Sequence, residues 1–354
     1  MKIFKATNRV MVTALFVCAT YSAQAFEALQ CPIGEPMASW DFNAGDLPSS
    51  NTAAVRWNGD HGGIKSVPGH NLQGIKFGYR GKGPEGDATS EWRYKINMPL
   101  SRTWEYLRVF QPDNFEHRYF VKIKTPAILS DSEWRKGDEI ENPRGMTATV
   151  EETRESNLFI KHFNQRFDKN WGNGLIIRNK TTGASTEALD SRNVGTNNKL
   201  SAQWEGDYSS GGMIVETQAY PPANGGEAGV GYFRPTITRS EAHRASGTVG
   251  NEIGNNKPSP AFNPRDNGTV VEFVIERIKS SGENIRDGSY KIWKRTATTP
   301  WSLVYINNSI YAWQPNNFFD NGYVFGWANS GYSEDTAFYL LGWSLWAEKP
   351  AFLP

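Results

Sequence analysis

The sequence has little cysteine, no long apolar run and no excess of charge of one sign. Cys18 and Cys31 are the two cysteines among 354 residues. No Cys/His cluster has the spacing of a metal site. The longest apolar stretch, Val10 to Thr20, falls short of the roughly 20 residues that span a bilayer. It lies behind the cations Lys2, Lys5 and Arg9 and ahead of Ala23-Gln24-Ala25. A cationic start, a short apolar run and a small-x-small site are the parts of a secretory leader. Residues 1–25 are therefore expected to be a signal peptide, cleaved before Phe26. Cys18 has Val17 before it, where lipoprotein processing needs a small residue, so no lipid anchor is expected.

Losing the leader shifts the formal charge from +1 to −2. A near-neutral chain without a concentrated basic face excludes a nucleic-acid binder as the expected class. Cys18 leaves with the leader, so Cys31 has no internal disulfide partner and is read as a small buried hydrophobe. Stability must come from an ordinary core, which a chain of this length can bury.

Long helical periodicities are absent too, whereas aromatics, glycine and asparagine are plentiful. The 13 tryptophans all follow the leader. Aromatic and β-branched residues suit a pleated, half-buried surface, and Gly and Asn supply turns. Trp92, Tyr94 and Ile96 alternate with Glu91, Arg93 and Lys95. Tyr119, Val121 and Ile123 alternate with Arg118, Lys122 and Lys124, with Phe120 on the cationic side. Thr269 to Lys279 and Ser289 to Arg295 read as strands joined at the turn-like Asp287-Gly288. Gly322 to Ala328 and Thr336 to Ala347 read as aromatic-rich buried strands. Ser130 to Arg144, Asn179 to Asn198 and Pro221 to Asn267 read as polar loops, the last with a short strand near Gly229 to Arg234. With no linker and no repeat, residues 26–354 are expected to form one antiparallel two-sheet β-sandwich of jelly-roll type with long loops.

The order of segments resembles the concanavalin A-like lectin/glucanase superfamily, which includes LamG-type modules and jelly-roll polysaccharide lyases. Ala38-Ser39-Trp40-Asp41-Phe42 is similar to its first strand, Leu72 to Phe77 to its second, and Asp287 to Lys294 to its D-G-x-x-x-x-W hairpin. Phe338 to Trp346 resembles the closing strand that pairs back near the first. The resemblance implies a glycan partner. The paired-acid strand of the retaining glucanases is missing, because Leu340-Leu341-Gly342-Trp343 stands in the closing strand. Retaining glycosidases need two carboxyls about 5–5.5 Å apart. Asp266, Glu272 and Glu276 are instead read as surface charge on a long strand. The R-x-E-x-R, Q-[IV]-H and Y-F-K-x-G-x-Y-x-Q strands of alginate lyases are also not matched, Ser90-Glu91-Trp92-Arg93 being loosely similar to the first.

β-Elimination from a uronic-acid polymer needs a group that neutralises the carboxylate, a base for the C5 proton and an acid for the leaving oxygen. His117, Arg118 and Tyr119 place such groups at the entry to a strand, and are the candidate catalytic residues. A histidine alone is more often structural, and His117 stands out by its company with Arg118, Tyr119 and the Lys122/Lys124 face. Glu91, Arg93, Lys95, Lys122, Lys124, His162, Lys199 and Trp204 are the candidate glycan-binding residues. No cofactor is expected. Asp41, Asp46 and Asp335 are the oxygen donors to which a structural calcium ion would bind. Three readings stand: an exported protein binding a polysaccharide, an acidic one to suit a cationic, aromatic-lined groove; a polysaccharide lyase using the same groove; and an adhesive exoprotein without glycan chemistry. A lyase requires its polar groups to converge within hydrogen-bond reach. A lectin requires exposed aromatic platforms, and an adhesin a flat apolar patch.

Overall fold

The computed structural model describes residues 36–45, 56–59, 61–81, 86–117, 119–161, 171–195, 197–204, 206, 208, 214–220, 227, 229–238, 251–252, 260–313, 319–329, 332 and 334–354. The leader and Cys31 lie outside them. Among the described residues the regular structure is β-strand with short 3-10 turns. No helix there is long and apolar enough to cross a membrane.

The first strands are β1 (Ala38–Asp41), β2 (Arg56–Gly59), β3 (His61–Ser66), β4 (Gln73–Tyr79), β5 (Ala88–Leu100) and β6 (Arg102–Phe110). Then come β7 (Tyr119–Lys124), β8 (Glu139–Glu141), β9 (Thr147–Arg154), β10 (Asn157–Lys161), β11 (Leu175–Asn179), β12 (Ser185–Ala188) and β13 (Asp190–Gly195). They are followed by β14 (Asn197–Trp204), β15 (Ile214–Tyr220), β16 (Gly231–Thr238), β17 (Asn251–Glu252) and β18 (Pro260–Phe262). The chain closes with β19 (Val270–Ile278), β20 (Gly288–Thr296), β21 (Ser302–Ile310), β22 (Phe319–Asn329) and β23 (Thr336–Trp346).

Two sheets make the sandwich. The first runs β21-β20-β19-β6-β23-β4-β3, with β1 also on β23. The second runs β17-β16-β15-β14-β22-β5-β2, with β18 also on β16. The chain crosses between them from β5 to β6 and from β22 to β23, so sequence neighbours face each other across the core. Pairing is antiparallel throughout both sheets, and the fold is the antiparallel β-sandwich of jelly-roll type. The expected return of the last strand to the first is present: β1 pairs with β23, with Trp40 opposite Trp343.

Period-2 alternation explains the core. Phe77, Leu107, Phe273, Ile292, Phe338 and Trp343 of the first sheet meet Trp92, Tyr94, Leu200, Val215, Val324 and Phe325 of the second in one buried cluster. Trp40 stacks on Trp343 at 4.9 Å, and Trp92 meets Trp343 edge-on at 5.5 Å. Most tryptophans of this core are therefore packing groups.

Residues 119–195, between the two sheets in sequence, build a third sheet in the order β12-β11-β8-β9-β10-β7-β13. It has its own buried cluster, including Val121, Ile123, Trp134, Ile140, Leu158, Ile160 and Trp171. Part of this was expected to be loop. Short strands arise there because Ile140, isolated among polar residues, and Ala188 both point into that cluster, as Ile177 of β11 does.

Two further expectations are corrected. The β19–β20 connection is not a two-residue turn at Asp287-Gly288 but runs from Lys279 to Asp287. Asp287 closes it by accepting from the Ser281 backbone N–H at 2.8 Å. Glu272 and Glu276 are not surface charge: they are buried on the outer side of the first sheet. Glu272 is held by Tyr106 and Arg295, and Glu276 by Trp104, Ser289 and Lys291.

Candidate functional site

The outer face of the second sheet is where polar groups converge. Its register sets Arg93 of β5 beside Tyr323 of β22, Tyr323 beside Ala202 of β14, and Ala202 beside Glu216 of β15. Trp92 and Tyr94 point into the core, so Glu91 and Arg93 point outward. Against β15, β14 carries a bulge between Lys199 and Ser201, and against β22 the register shifts between Asn198 and Ser201 with the extra residue on β22. An extra residue in one strand re-aims the side chains around it. Here Leu200 and Ser201 both turn to the core, and Lys199 and Trp204 lie on the outer face.

Glu216 is the hub. Its Oε1 accepts from Lys199 Nζ at 2.9 Å, Tyr208 Oη at 3.0 Å and Tyr323 Oη at 2.6 Å. Lys199 Nζ also donates to Tyr208 Oη at 3.0 Å, closing a triangle. Arg93 pairs with Glu91 and lies over the rings of Tyr208, at 5.2 Å, and Trp204, at 5.8 Å. Trp204, Tyr323, Ala202 and Ile214 form the apolar bed beneath Tyr208. Glu216 and Glu91 are nearly buried, whereas Lys199 and Arg93 keep 23% and 32% of their side chains open to solvent, so the cations are within a ligand's reach.

The electrostatics follow from that burial. Desolvation works against the Lys199 ammonium, but Glu216 and Tyr208 outweigh it and hold its pKa well above the usual lysine value. Burial first, then the Glu216 carboxylate, raises the Tyr208 phenol, with Lys199 pulling the other way. Tyr323 is raised well above its ordinary value for the same two reasons. At neutral pH the face therefore holds a fixed ammonium, two protonated phenols and a carboxylate that accepts from all three.

The backbone of β22 is unusual beside this cluster. Phe325 has φ +58° and Gly326 φ +140°. Phe325 in this region is a costly conformation for an aromatic residue. Gly326 suits this φ, which any side chain would strain, and a Cβ there would crowd Glu91 Oε2 at 3.1 Å beside Lys199 Cβ at 3.5 Å. The next residue, Trp327, is 48% exposed.

Of the candidates named from sequence, Glu91, Arg93, Lys199 and Trp204 are brought together here. Lys95 is on the same strand face, exposed, beside Asn321. His117 is elsewhere: 1% exposed, it bridges to Gly229 through the backbone and lies against Gly231 and Phe115, on the core side of β16. Tyr119 opens β7 of the third sheet, and Arg118 and His162 lie outside the described residues. Lys122 and Lys124 are on β7, Lys122 over the Phe159 ring at 5.5 Å. Tyr208, Glu216 and Tyr323 were missed. Each sits in a different segment, with no local motif to mark it.

The calcium candidates are engaged in backbone contacts. Asp41 accepts from Asn43 and Ala44 N–H groups, and Asp335 from Gly81 N–H at 2.7 Å. Asp46 lies outside the described residues. Among the described residues no group of three or more His, Cys, Asp or Glu is placed to hold a metal ion.

No family model matches the sequence, and no curated protein matches it. Solved structures similar in shape include two alginate lyases. Alginate lyase vAL-1 from Chlorella virus superposes with a TM-score of 0.42 at 8% identity, covering 88% of this chain and 99% of that one. The marine PL-14 alginate lyase from Aplysia kurodai superposes with a TM-score of 0.35 at 10% identity, covering 80% and 86%.

Proposed function

We propose that this is an exported protein that recognises an acidic polysaccharide on the outer face of its second sheet and cleaves it by β-elimination. The observation that carries the reading is the Lys199–Tyr208–Glu216 triangle, with Arg93 beside it. The leader read from residues 1–25 supports a periplasmic or extracellular place of action.

Each part of the reaction has a group in reach. The Lys199 ammonium and the Arg93 guanidinium offset the uronate carboxylate, which acidifies the C5 proton. Tyr208 takes that proton on its oxygen as its own phenolic proton passes to Glu216. The C4–O4 bond then breaks, leaving a C4=C5 double bond. Tyr208 delivers the C5-derived proton to the leaving oxygen and recovers its own from Glu216. Tyr323 holds the Glu216 carboxylate in place. A positioned proton-transfer group of this kind contributes about 10²–10⁴-fold.

The test is incubation with alginate, polygalacturonate and hyaluronan, following the ultraviolet absorbance of the unsaturated uronate. The chromophore is expected with at least one polymer. Tyr208→Phe is expected to lower kcat by about 10²-fold or more in a protein that still folds. Full activity in Tyr208→Phe, or no chromophore on any polymer, overturns the catalytic reading. Retention on a glycan column without the chromophore leaves recognition as the function.

A further inference from the structure

We infer that Trp327 is a sugar-stacking platform beside the Lys199 cluster, binding one pyranose ring of the polysaccharide through its apolar face. The inference rests on the glycan reading above and adds a subsite to it. Three observations place the platform. Trp327 pairs with Thr89 on β5, and Lys199 follows Asn198, the β14 partner of Ala328, with its Cβ 3.5 Å from where a Cβ of the adjacent Gly326 would lie. Glu91 is two residues from Thr89 on the same outward face of β5. Cross-strand neighbours of this kind have Cβ atoms about 5 Å apart, and diagonal ones about 7–8 Å. Both charged groups are therefore within one sugar ring of the indole.

The second observation is exposure. Trp92 and Trp204 are at most 3% exposed, whereas Trp327, on a central strand of the same sheet, is 48% exposed. A wide indole left open beside nearly buried carboxylates and half-open cations has the composition of a ligand site: an apolar surface with a few placed polar groups.

The third is the backbone. The positive φ values at Phe325 and Gly326 turn the Phe325 ring into the core and leave Gly326 without a side chain between Glu91 and Lys199. That opens the floor next to Trp327. A ring lying over Gly326 can rest its C–H face on the indole while its hydroxyls meet Glu91 and its carboxylate meets Lys199. Local strain stored at such a point is characteristic of a functional site.

The experiment separates this subsite from the cleavage reading. Retardation in native gels containing alginate, polygalacturonate or hyaluronan reports binding; the uronate chromophore reports cleavage. Loss of one aromatic contact corresponds to about fivefold to tenfold in affinity. Trp327→Ala is expected to weaken retardation and raise KM by about that factor, with kcat within about twofold. Trp327→Phe is expected to recover most of the affinity, and unchanged circular dichroism shows that both variants fold. Wild-type retardation and KM in Trp327→Ala overturn the platform and leave the cleavage reading standing. Weakened retardation of Trp327→Ala, with no chromophore from wild type, supports the platform while the cleavage reading fails. Wild type that shows neither retardation nor the chromophore with any of the polymers overturns both.

Discussion

Arg277 Nη1 lies 2.8 Å from Glu105 Oε2, and neither side chain has any exposure to solvent. The pair sits on β19 and β6 and points across the sandwich core. Tyr94 and Trp343 donate to the other Glu105 oxygen at 2.7 and 3.0 Å, and Ser201 joins Arg277 in holding Oε2. Arg277 also reaches Ser201 and Thr217 on the opposite sheet. A buried charge pair is tolerated when most of its remaining hydrogen-bonding capacity is filled in this way, Arg277 Nε being the atom here that has no hydrogen-bond partner among the described residues.

Removing one partner leaves the other charge buried. Arg277→Met and Glu105→Gln are each expected to lower unfolding stability by about 3–5 kcal/mol. The double variant Glu105→Leu/Arg277→Met should cost less than the two singles added. Urea unfolding of the four proteins measures this, and a single variant with a wild-type midpoint would sink it.

Lys199 makes a prediction about alkaline pH. Its folded pKa is raised, so the stability from its charge is complete below the ordinary lysine value of about 10.4 and is lost as pH rises through the higher folded value. Lys199→Met should be less stable than wild type by about 1–2 kcal/mol, the scale of hydrogen bonds to a charged group. That gap should stay level from neutral to mildly alkaline pH and close above it. A gap that closes below pH ~9 contradicts the raised value.

Lys294 gives the opposite sign. It is 8% exposed, on the core side of β20, with Asp266 Oδ2 at 3.3 Å. Burial lowers its pKa, and Asp266 recovers part of the loss. The charged form therefore costs stability below the folded pKa, and the penalty fades as pH rises towards about 10.4. Lys294→Met should stabilise by about 1 kcal/mol at neutral pH. Its advantage over wild type should shrink on alkalinisation, as thermal melts across pH would show.

Gly322 faces the Tyr94 ring so closely that a Cβ there would overlap its ring and hydroxyl. Tyr94 cannot retreat without releasing Glu105 and Gln203. Gly322→Ala should cost about 1–3 kcal/mol, the usual penalty for overpacking. Adding Tyr94→Leu should make the pair less costly than the sum of the singles. Strict additivity in the denaturation midpoints would reject this coupling.

Local pattern and long-range pairing divide the site between them. Alternation around Trp92 and Tyr94 is enough to put Glu91 and Arg93 on an outward face, because side-chain direction in a strand depends only on the nearest residues. The His117–Tyr119 segment carries an equally inviting local pattern. The path of the chain nevertheless turns His117 to the core side of β16 and starts the third sheet at Tyr119. Glu216 is one carboxylate among the 37 acidic residues, and nothing within its own strand distinguishes it.

The sequence by itself determined the strand class, the inward and outward alternation and the expectation of an export leader, all of which follow from local composition and period, whereas the return of β23 to β1 was implied by the resemblance of the closing strand to a family. The tertiary structure decided which outward faces become neighbours. Residues 91, 93, 199, 216 and 323 meet through strand register, with Tyr208 reaching them from a turn, and register is set by pairing between segments distant in sequence. A one-residue bulge in β14 then turns Lys199 towards Glu216, an outcome of how the strand fits its two neighbours rather than of any residue within it.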